Sequence, residues 1–252
     1  MLRRMKIQSP PGLQLLVAAD YESMSRRAAA QVLAYLRAKP DALMGLATGA
    51  SPLRTYQLLA RLAAREPRRF RAIRILKLDE WGGLDLNDPA TCEMFLQRHV
   101  LKPWGVKMNR YFGWNSRPKH PTAECQRVAH WLERNGPLDL CILGLGLNGH
   151  LLLNEPAPTL TAAPHVSQLS SESKNHTMLL QARRRPRYGL TIGLAGMLKS
   201  RRVLLLVSGA KKARQLKQMV QGPVTTQCPA SFLQLHPHLT IICDAAAAGG
   251  LK

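Results

Sequence analysis

A chain of 252 residues, 46% hydrophobic and 20% charged, holds enough apolar material for one full-sized core or two small ones. That balance excludes a disordered chain, a collagen-like chain and a small disulfide-stapled scaffold. Charge is the anomaly: 36 Lys and Arg against 15 Asp and Glu give +21, a field that gathers anions but says nothing about fold.

Met1–Lys6 followed by Leu13–Ala19 imitates a signal peptide, but Pro10, Pro11 and Gly12 separate the charge from the apolar run. A strand at Leu13–Ala18 explains these residues better. Asp20 then caps a helix whose apolar positions Met24, Ala28, Val32 and Leu36 repeat every four residues and stop before Pro40. Leu43–Ala47 is a second strand; Thr48-Gly49-Ala50-Ser51 leads into a helix opened by Pro52, with Leu53, Tyr56, Leu59 and Leu62 on one side. Ile73–Leu78 is a third strand, ending at Asp79-Glu80. Thr91 caps a helix to about Leu101, Pro121 opens another to about Asn135, and Leu138–Leu143 is a strand running into a glycine loop. An irregular stretch covers about 146 to 187. Beyond it come strands at Leu190–Leu194 and Val203–Val207, a helix over about 210–220 and a last strand at Leu239–Cys243.

Strands alternating with helices predict an α/β fold, a three-layer α/β/α arrangement around a mostly parallel, Rossmann-like sheet. No linker or repeat divides the chain, so residues 1–252 read as a single domain, with about 151–187 long enough to serve as a lid. The longest apolar stretches fall far short of the roughly 20 residues of a membrane span, and the chain reads as cytoplasmic. The five cysteines have no metal-site or redox-pair spacing. The basic residues form small clusters, among them Arg3–Arg4, Arg68–Arg69, Arg183–Arg185 and Lys211–Lys212. With aromatics at 5% a base-stacking nucleic-acid platform is poorly supported, scattered solvated arginine is the simplest reading, and nucleic acid, an anionic membrane surface or a phosphorylated small molecule are the candidate partners.

In open parallel sheets ligands bind beyond the carboxyl ends of the strands, which singles out loops 48–51, 79–91, 144–156 and 208–212. Thr48-Gly49-Ala50-Ser51 before a helix is equally a phosphate cradle of free backbone N–H groups and a tight turn. Gly144-Leu145-Gly146-Leu147-Asn148-Gly149 matches the dinucleotide pattern, but Pro156 and Pro158 argue against the helix that pattern requires. A glycine loop aiming His150 and Glu155 at a small ligand fits better. Asp79 is a general base if it faces a partly buried pocket, and otherwise a cap or an arginine partner. Lys211 and Lys212 sit where a nearby anion would relieve them.

Together these segments resemble the amino-sugar-phosphate deaminase/isomerase family, whose best-known member is glucosamine-6-phosphate deaminase. The resemblance runs through Gly45–Pro52, Leu78-Asp79-Glu80-Trp81, Leu143–His150, Asn154-Glu155-Pro156, Ser208–Ala213 and Pro229–His236, over roughly residues 13–245. Lys77–Trp81, Thr91-Cys92-Glu93 and Gly144–Leu151 look closer to the galactosamine-6-phosphate branch. Asn148 stands where the glucosamine enzymes carry an aspartate; it cannot hold a negative charge beside His150, which leaves that task to Glu155. Near His176 those enzymes place a phosphate-binding arginine.

The resemblance implies a reaction without metal or redox cofactor on a phosphorylated amino sugar, and is compatible with a homo-oligomer. Thr48, Gly49, Ala50, Ser51, Gly146, His176 and Lys212 would bind the substrate. His150, with Glu155 and Asn148, would open the ring, and Asp79 would carry the C2 proton to C1. The competing readings are a 6-phosphogluconolactonase-like hydrolase, which typically has a different segment after its histidine, and a non-catalytic sugar-phosphate sensor or nucleic-acid-binding protein on the same scaffold.

Overall fold

The computed structural model describes residues 12–251; the Arg3–Arg4 cluster and the Met1–Lys6 start lie outside the described residues. In chain order the elements are β1 (Leu13–Ala18), α1 (Tyr21–Ala38), β2 (Leu43–Leu46), α2 (Ala50–Arg65), β3 (Arg74–Lys77), β4 (Asp79–Gly82), α3 (Cys92–Leu96) and β5 (Tyr111–Phe112). They continue with α4 (Pro121–Asn135), β6 (Leu140–Gly144), β7 (His165–Ser167), α5 (Ser171–Lys174), β8 (Tyr188–Thr191) and α6 (Leu194–Leu198). β9 (Val203–Val207), α7 (Ala213–Gln221), β10 (Leu239–Asp244) and α8 (Ala245–Ala248) complete the chain.

Seven strands pair in the order β1-β10-β9-β6-β2-β3-β5, all parallel. Successive side chains of a strand point to opposite faces, and both faces here are apolar. Leu204 and Leu206 of β9 pack with Met24, Val32 and Tyr56 from α1 and α2. Val203, Leu205 and Val207 pack on the other side with Val128 of α4 and Leu216 and Met219 of α7. The near-continuous apolar runs read from the sequence are the consequence of this double coverage. Asp20 caps α1, accepting a 2.7 Å bond from the Ser23 N–H, and the stripe Met24, Ala28, Val32, Leu36 is buried.

Strand order places the functional end of the sheet. After β2 the chain moves through α2 to β3 on one side; after β6 it moves to β9 on the other. The switch point therefore lies between β2 and β6, and the two glycine loops follow these two strands.

Several expectations are corrected. Asp79-Glu80 do not end the third strand: β3 stops at Lys77 and the chain leaves the main sheet at Leu78. Asp79–Gly82 begin a separate antiparallel sheet, β4-β8-β7, in which Asp79 lies opposite Thr191. Burial continues unbroken through Lys77, Asp79 and Glu80, so the charged residues that end the apolar run do not mark an exit to solvent. The run Leu190–Leu194 also divides. Its strand is shifted to Tyr188–Thr191, and Gly193 turns the chain into α6, packed so tightly that a Cβ there would sit 2.2 Å from the Ala162 carbonyl. The stretch expected to be irregular holds β7 and α5. The helix expected from 210 is a 3-10 turn at Ala210–Lys212 followed by α7, so Lys212 precedes that helix instead of lying in its first turn. The five cysteines are free and buried. Among the described residues no helix is long and apolar enough to cross a membrane.

Candidate active site

Loop 47–51 leaves β2 held by an Ala47 N–H bond to the Ile142 carbonyl of β6 (3.0 Å). Gly49 has φ +107°, a conformation that strains any residue with a Cβ. It opens α2 without a side-chain cap, leaving the first N–H groups of a 16-residue helix free to meet an anion. Ser51 Oγ accepts from Lys212 Nζ at 3.2 Å and lies 3.4 Å from Ser208 Oγ, so loops 48–51 and 208–212 face each other. Burial pulls Lys212 down to about 8, against the opposing pull of Asp244. An anion beside its ammonium would restore the charge.

The loop after β6 folds back on itself. Gly146 N–H bonds to the His150 carbonyl (3.0 Å), and Gly149 N–H to the Gly146 carbonyl (3.2 Å). No helix starts within the loop, as the prolines after it require. Gly146 has a specific reason to lack a side chain: its Cβ would fall 2.4 Å from the His150 ring. Leu152, buried at φ +57°, marks the tight turn that follows.

His150 Nδ1 lies 3.3 Å from Glu155 Oε2, an ion-pair distance but out of line for a hydrogen bond. The same Glu155 oxygen accepts from Asn148 Nδ2 at 3.0 Å, while Asn148 Oδ1 accepts the His150 N–H at 3.1 Å. Ser173 Oγ and the Ser170 N–H bind the other Glu155 oxygen. Burial alone would raise this carboxyl; His150, Ser173 and Asn148 outweigh it and hold Glu155 at about 2.

Asp79 is buried, and its Oδ1 has no partner among the described residues. Desolvation first, and the adjacent Glu80 charge second, push it up to about 7 against the pull of Lys77. Its strand is bolted to the histidine loop through one segment of β8 and the residue after it. Ile192 N–H bonds to the Leu78 carbonyl (3.0 Å), and Asn154 Nδ2 donates to the Ile192 carbonyl (3.0 Å) and to Thr191 Oγ1 (3.2 Å). On its other side, Cys92 Sγ, whose surroundings include Asp79, accepts from Thr48 Oγ1 at 3.3 Å.

His176 closes the ring of contacts. Its imidazole would lie 3.9 Å from a Cβ on Gly49 and sits 5.8 Å from the Trp81 ring. Nδ1 accepts the Met178 N–H (3.2 Å), which leaves Nε2 as the free donor of the neutral ring. Burial, then the charges of His150 and Lys212, lower it to about 4. Asp79, Asn148, His150, Glu155, Thr48, Gly49, Ala50, Ser51, Gly146, His176 and Lys212 thus belong to one contiguous set of contacts at the carboxyl end of the sheet. The sequence reading missed Ser170 and Ser173, which hold Glu155, and Ser208, which faces Ser51. Ser170 carries a readable signal as the side-chain cap of α5 and Ser208 one as the first residue of the candidate loop 208–212; Ser173 carries none. Among the described residues no group of three His, Cys, Asp or Glu side chains is arranged to hold a metal ion.

This arrangement is that of an α/β enzyme with a switch-point site. A family model described as glucosamine-6-phosphate isomerases/6-phosphogluconolactonase matches residues 18–241. A protein of Escherichia coli (strain K12) named "Putative deaminase AgaI" is 43% identical over 225 residues, 89% of each chain. A glucosamine-6-phosphate deaminase of Geobacillus sp. (strain WCH70) is 35% identical, covering 93% of this chain and 94% of its own. Among solved structures, a monomeric glucosamine-6-phosphate deaminase of the NagB superfamily superposes with a TM-score of 0.89 at 33% identity, covering 94% of this chain and 99% of its own. The 6-phosphogluconolactonase of Trypanosoma brucei superposes at 0.77 with 18% identity, covering 97% and 100%, a likeness of fold alone. The chain belongs to the glucosamine-6-phosphate isomerase/6-phosphogluconolactonase family and is an enzyme.

Proposed function

We propose that the chain is a deaminating aldose–ketose isomerase of amino-sugar 6-phosphates that prefers galactosamine 6-phosphate and also accepts glucosamine 6-phosphate. The observation that carries this reading is the buried, unpartnered Asp79 oxygen, on a strand tied through Thr191 and Ile192 to the loop of His150 and Glu155. The preference for the galacto epimer rests on Asn148 and on the segments Lys77–Trp81 and Thr91–Glu93.

The phosphate sits on the free N–H groups of loop 48–51, with Lys212 and the His176 Nε2–H as further donors. His150, held by Glu155 and Asn148, moves the proton that opens the ring to the C1 aldehyde. Asp79 takes the proton from C2 and delivers it to C1, through an enolamine. The resulting C2 iminium takes up water and releases ammonia, leaving the ketose phosphate. C2–H is a weak acid, so a base must be held against it in a site that excludes water. A base held near neutrality meets that requirement at physiological pH. Residues 151–187 supply Glu155, Ser170, Ser173 and His176, and we assign this stretch the part of the lid.

The test is ammonia release from galactosamine 6-phosphate and glucosamine 6-phosphate, run beside proton release from 6-phosphogluconolactone. Release of ammonia with the higher kcat/KM on the galacto epimer supports the proposal. Lactone hydrolysis without deamination assigns the chain to the other activity of its family, and binding without turnover assigns it to a sensor.

A further inference from the structure

Beneath Asp79 lies a group of charges that the proposed reaction does not use. Lys77, the last residue of β3, is 0% exposed, and its Nζ donates to Glu80 Oε2 at 2.7 Å and to Glu93 Oε2 at 2.8 Å. The cluster is closed from outside by Tyr111 of β5, whose hydroxyl donates to Glu93, and by Gln97 Nε2, which donates to Glu93 Oε1 at 2.9 Å. Glu80 is also 0% exposed and accepts from Lys77 and from the backbone N–H groups of Trp81, Cys92 and Glu93, at 2.7 to 2.9 Å. Two donors on each oxygen leave no place for a proton, so Glu80 is a carboxylate. Burial alone would lower Lys77, but the two carboxylates outweigh it and raise it; Glu93 is lowered by Lys77 and Tyr111 against its own burial. Two negative charges therefore meet one positive charge.

Burying a lysine and a glutamate is costly before their attraction is counted, and an apolar pair would often be as stable. Their place is informative: Lys77 and Glu80 flank Asp79 at the point where the chain changes sheets. The titratable groups facing Asp79 are Glu80 on its own strand, Lys77 on β3, Cys92 on α3 and Tyr56 on α2. Of these, only Glu80 and Lys77 carry charge, because burial raises the Cys92 thiol and the Tyr56 hydroxyl and keeps them neutral.

We propose that Lys77, Glu80 and Glu93 are the positioning residues of Asp79: they pin the joint that carries it, and the balance between Glu80, which faces Asp79, and Lys77, whose charge Glu93 shares, sets how tightly Asp79 holds its proton. This rests on Asp79 being the base. Removing the cation strengthens the hold of Asp79 on its proton, and removing a carboxylate weakens it. A scaffold role predicts neither direction.

The experiment is the pH profile of kcat/KM for ammonia release, paired with a carbon-13 carboxyl titration of Asp79, in Lys77→Met and Glu93→Gln. Lys77→Met is expected to move the acidic limb up by about one pH unit, and Glu93→Gln to move it down by roughly half a unit. Glu93 is partly exposed, and glutamine keeps its bonds: the carbonyl accepts from Lys77 and Tyr111 while the Gln97 amide turns over. Glu93→Gln therefore decides the matter even where Lys77→Met does not fold. An unmoved or raised limb and an unmoved Asp79 titration in folded Glu93→Gln overturn the proposal. An active Asp79→Asn overturns instead the reading of Asp79 as base; an inactive Asp79→Asn with an unmoved limb in Glu93→Gln overturns the charge cluster alone.

Discussion

Asn148 donates its side-chain amide to the Glu155 oxygen that also faces His150 Nδ1, at 3.0 and 3.3 Å. A neutral donor at this position leaves Glu155 the one carboxylate held against the imidazole by this loop. An aspartate would set a second negative charge within hydrogen-bond range of the first.

Asn148→Asp tests that arrangement with an isosteric change. Added negative charge within hydrogen-bond range of Glu155 repels that carboxylate from its place against His150, so kcat is expected to fall about 10-fold or more with KM within a few-fold. The amide bonds to Glu155 and Ser170 are lost, so the variant is also expected to melt earlier. An unchanged kcat would remove Asn148 from the positioning of Glu155 and His150.

Asp79→Asn is expected to cost about 10²- to 10⁴-fold or more in kcat while sugar-phosphate binding, measured by calorimetry, stays within a few-fold. The same variant carries a stability signature. A carboxyl raised from 3.8 to about 7 on folding stabilises the fold fully only below about 4, and that contribution is lost as pH rises through about 7. Asparagine is not subject to this loss. Asp79→Asn should therefore be more stable than the parent at pH 8 by on the order of 2–4 kcal/mol, with no gain at pH 4. Equal denaturation midpoints at pH 8 would show that Asp79 is not held in the desolvated state described.

His176→Ala and Lys212→Met should act on binding more than on chemistry, raising KM about 10-fold or more with kcat within a few-fold. Inorganic phosphate should protect the parent from thermal unfolding and protect these variants less. A fall in kcat at unchanged KM would place either residue at the reacting carbons and not at the phosphate.

Gly146→Ala places a methyl group where the His150 ring lies, 2.4 Å from its nearest atoms. The ring must move, so kcat is expected to fall at least about 100-fold with the circular dichroism spectrum unchanged. An active Gly146→Ala would show that the position of the His150 ring is not critical.

The net charge of +21 should steer a phosphorylated substrate, so kcat/KM falls as salt rises from low to physiological ionic strength while kcat changes less. A flat kcat/KM would disconnect the excess charge from substrate capture.

The sequence by itself determined the layers and the loops. Apolar runs such as Val203–Val207 and the four-residue repeat from Met24 to Leu36 admit one kind of burial each, and they are buried as their periods require. Gly49, Gly146 and Gly149 mark loops because their conformations or close neighbours exclude a side chain, a constraint local to a few residues. Tertiary structure decided the rest. That the chain changes sheets at Leu78, setting Asp79 opposite Thr191, depends on pairing between residues 112 positions apart. That Ser170 and Ser173 hold Glu155, and that Lys77 is enclosed by Glu80 and Glu93 instead of reaching solvent, depends on side-chain hydrogen bonds that follow no period. Periodicity records which face of an element is dry; it carries no information about which buried polar group will meet another once the faces are packed.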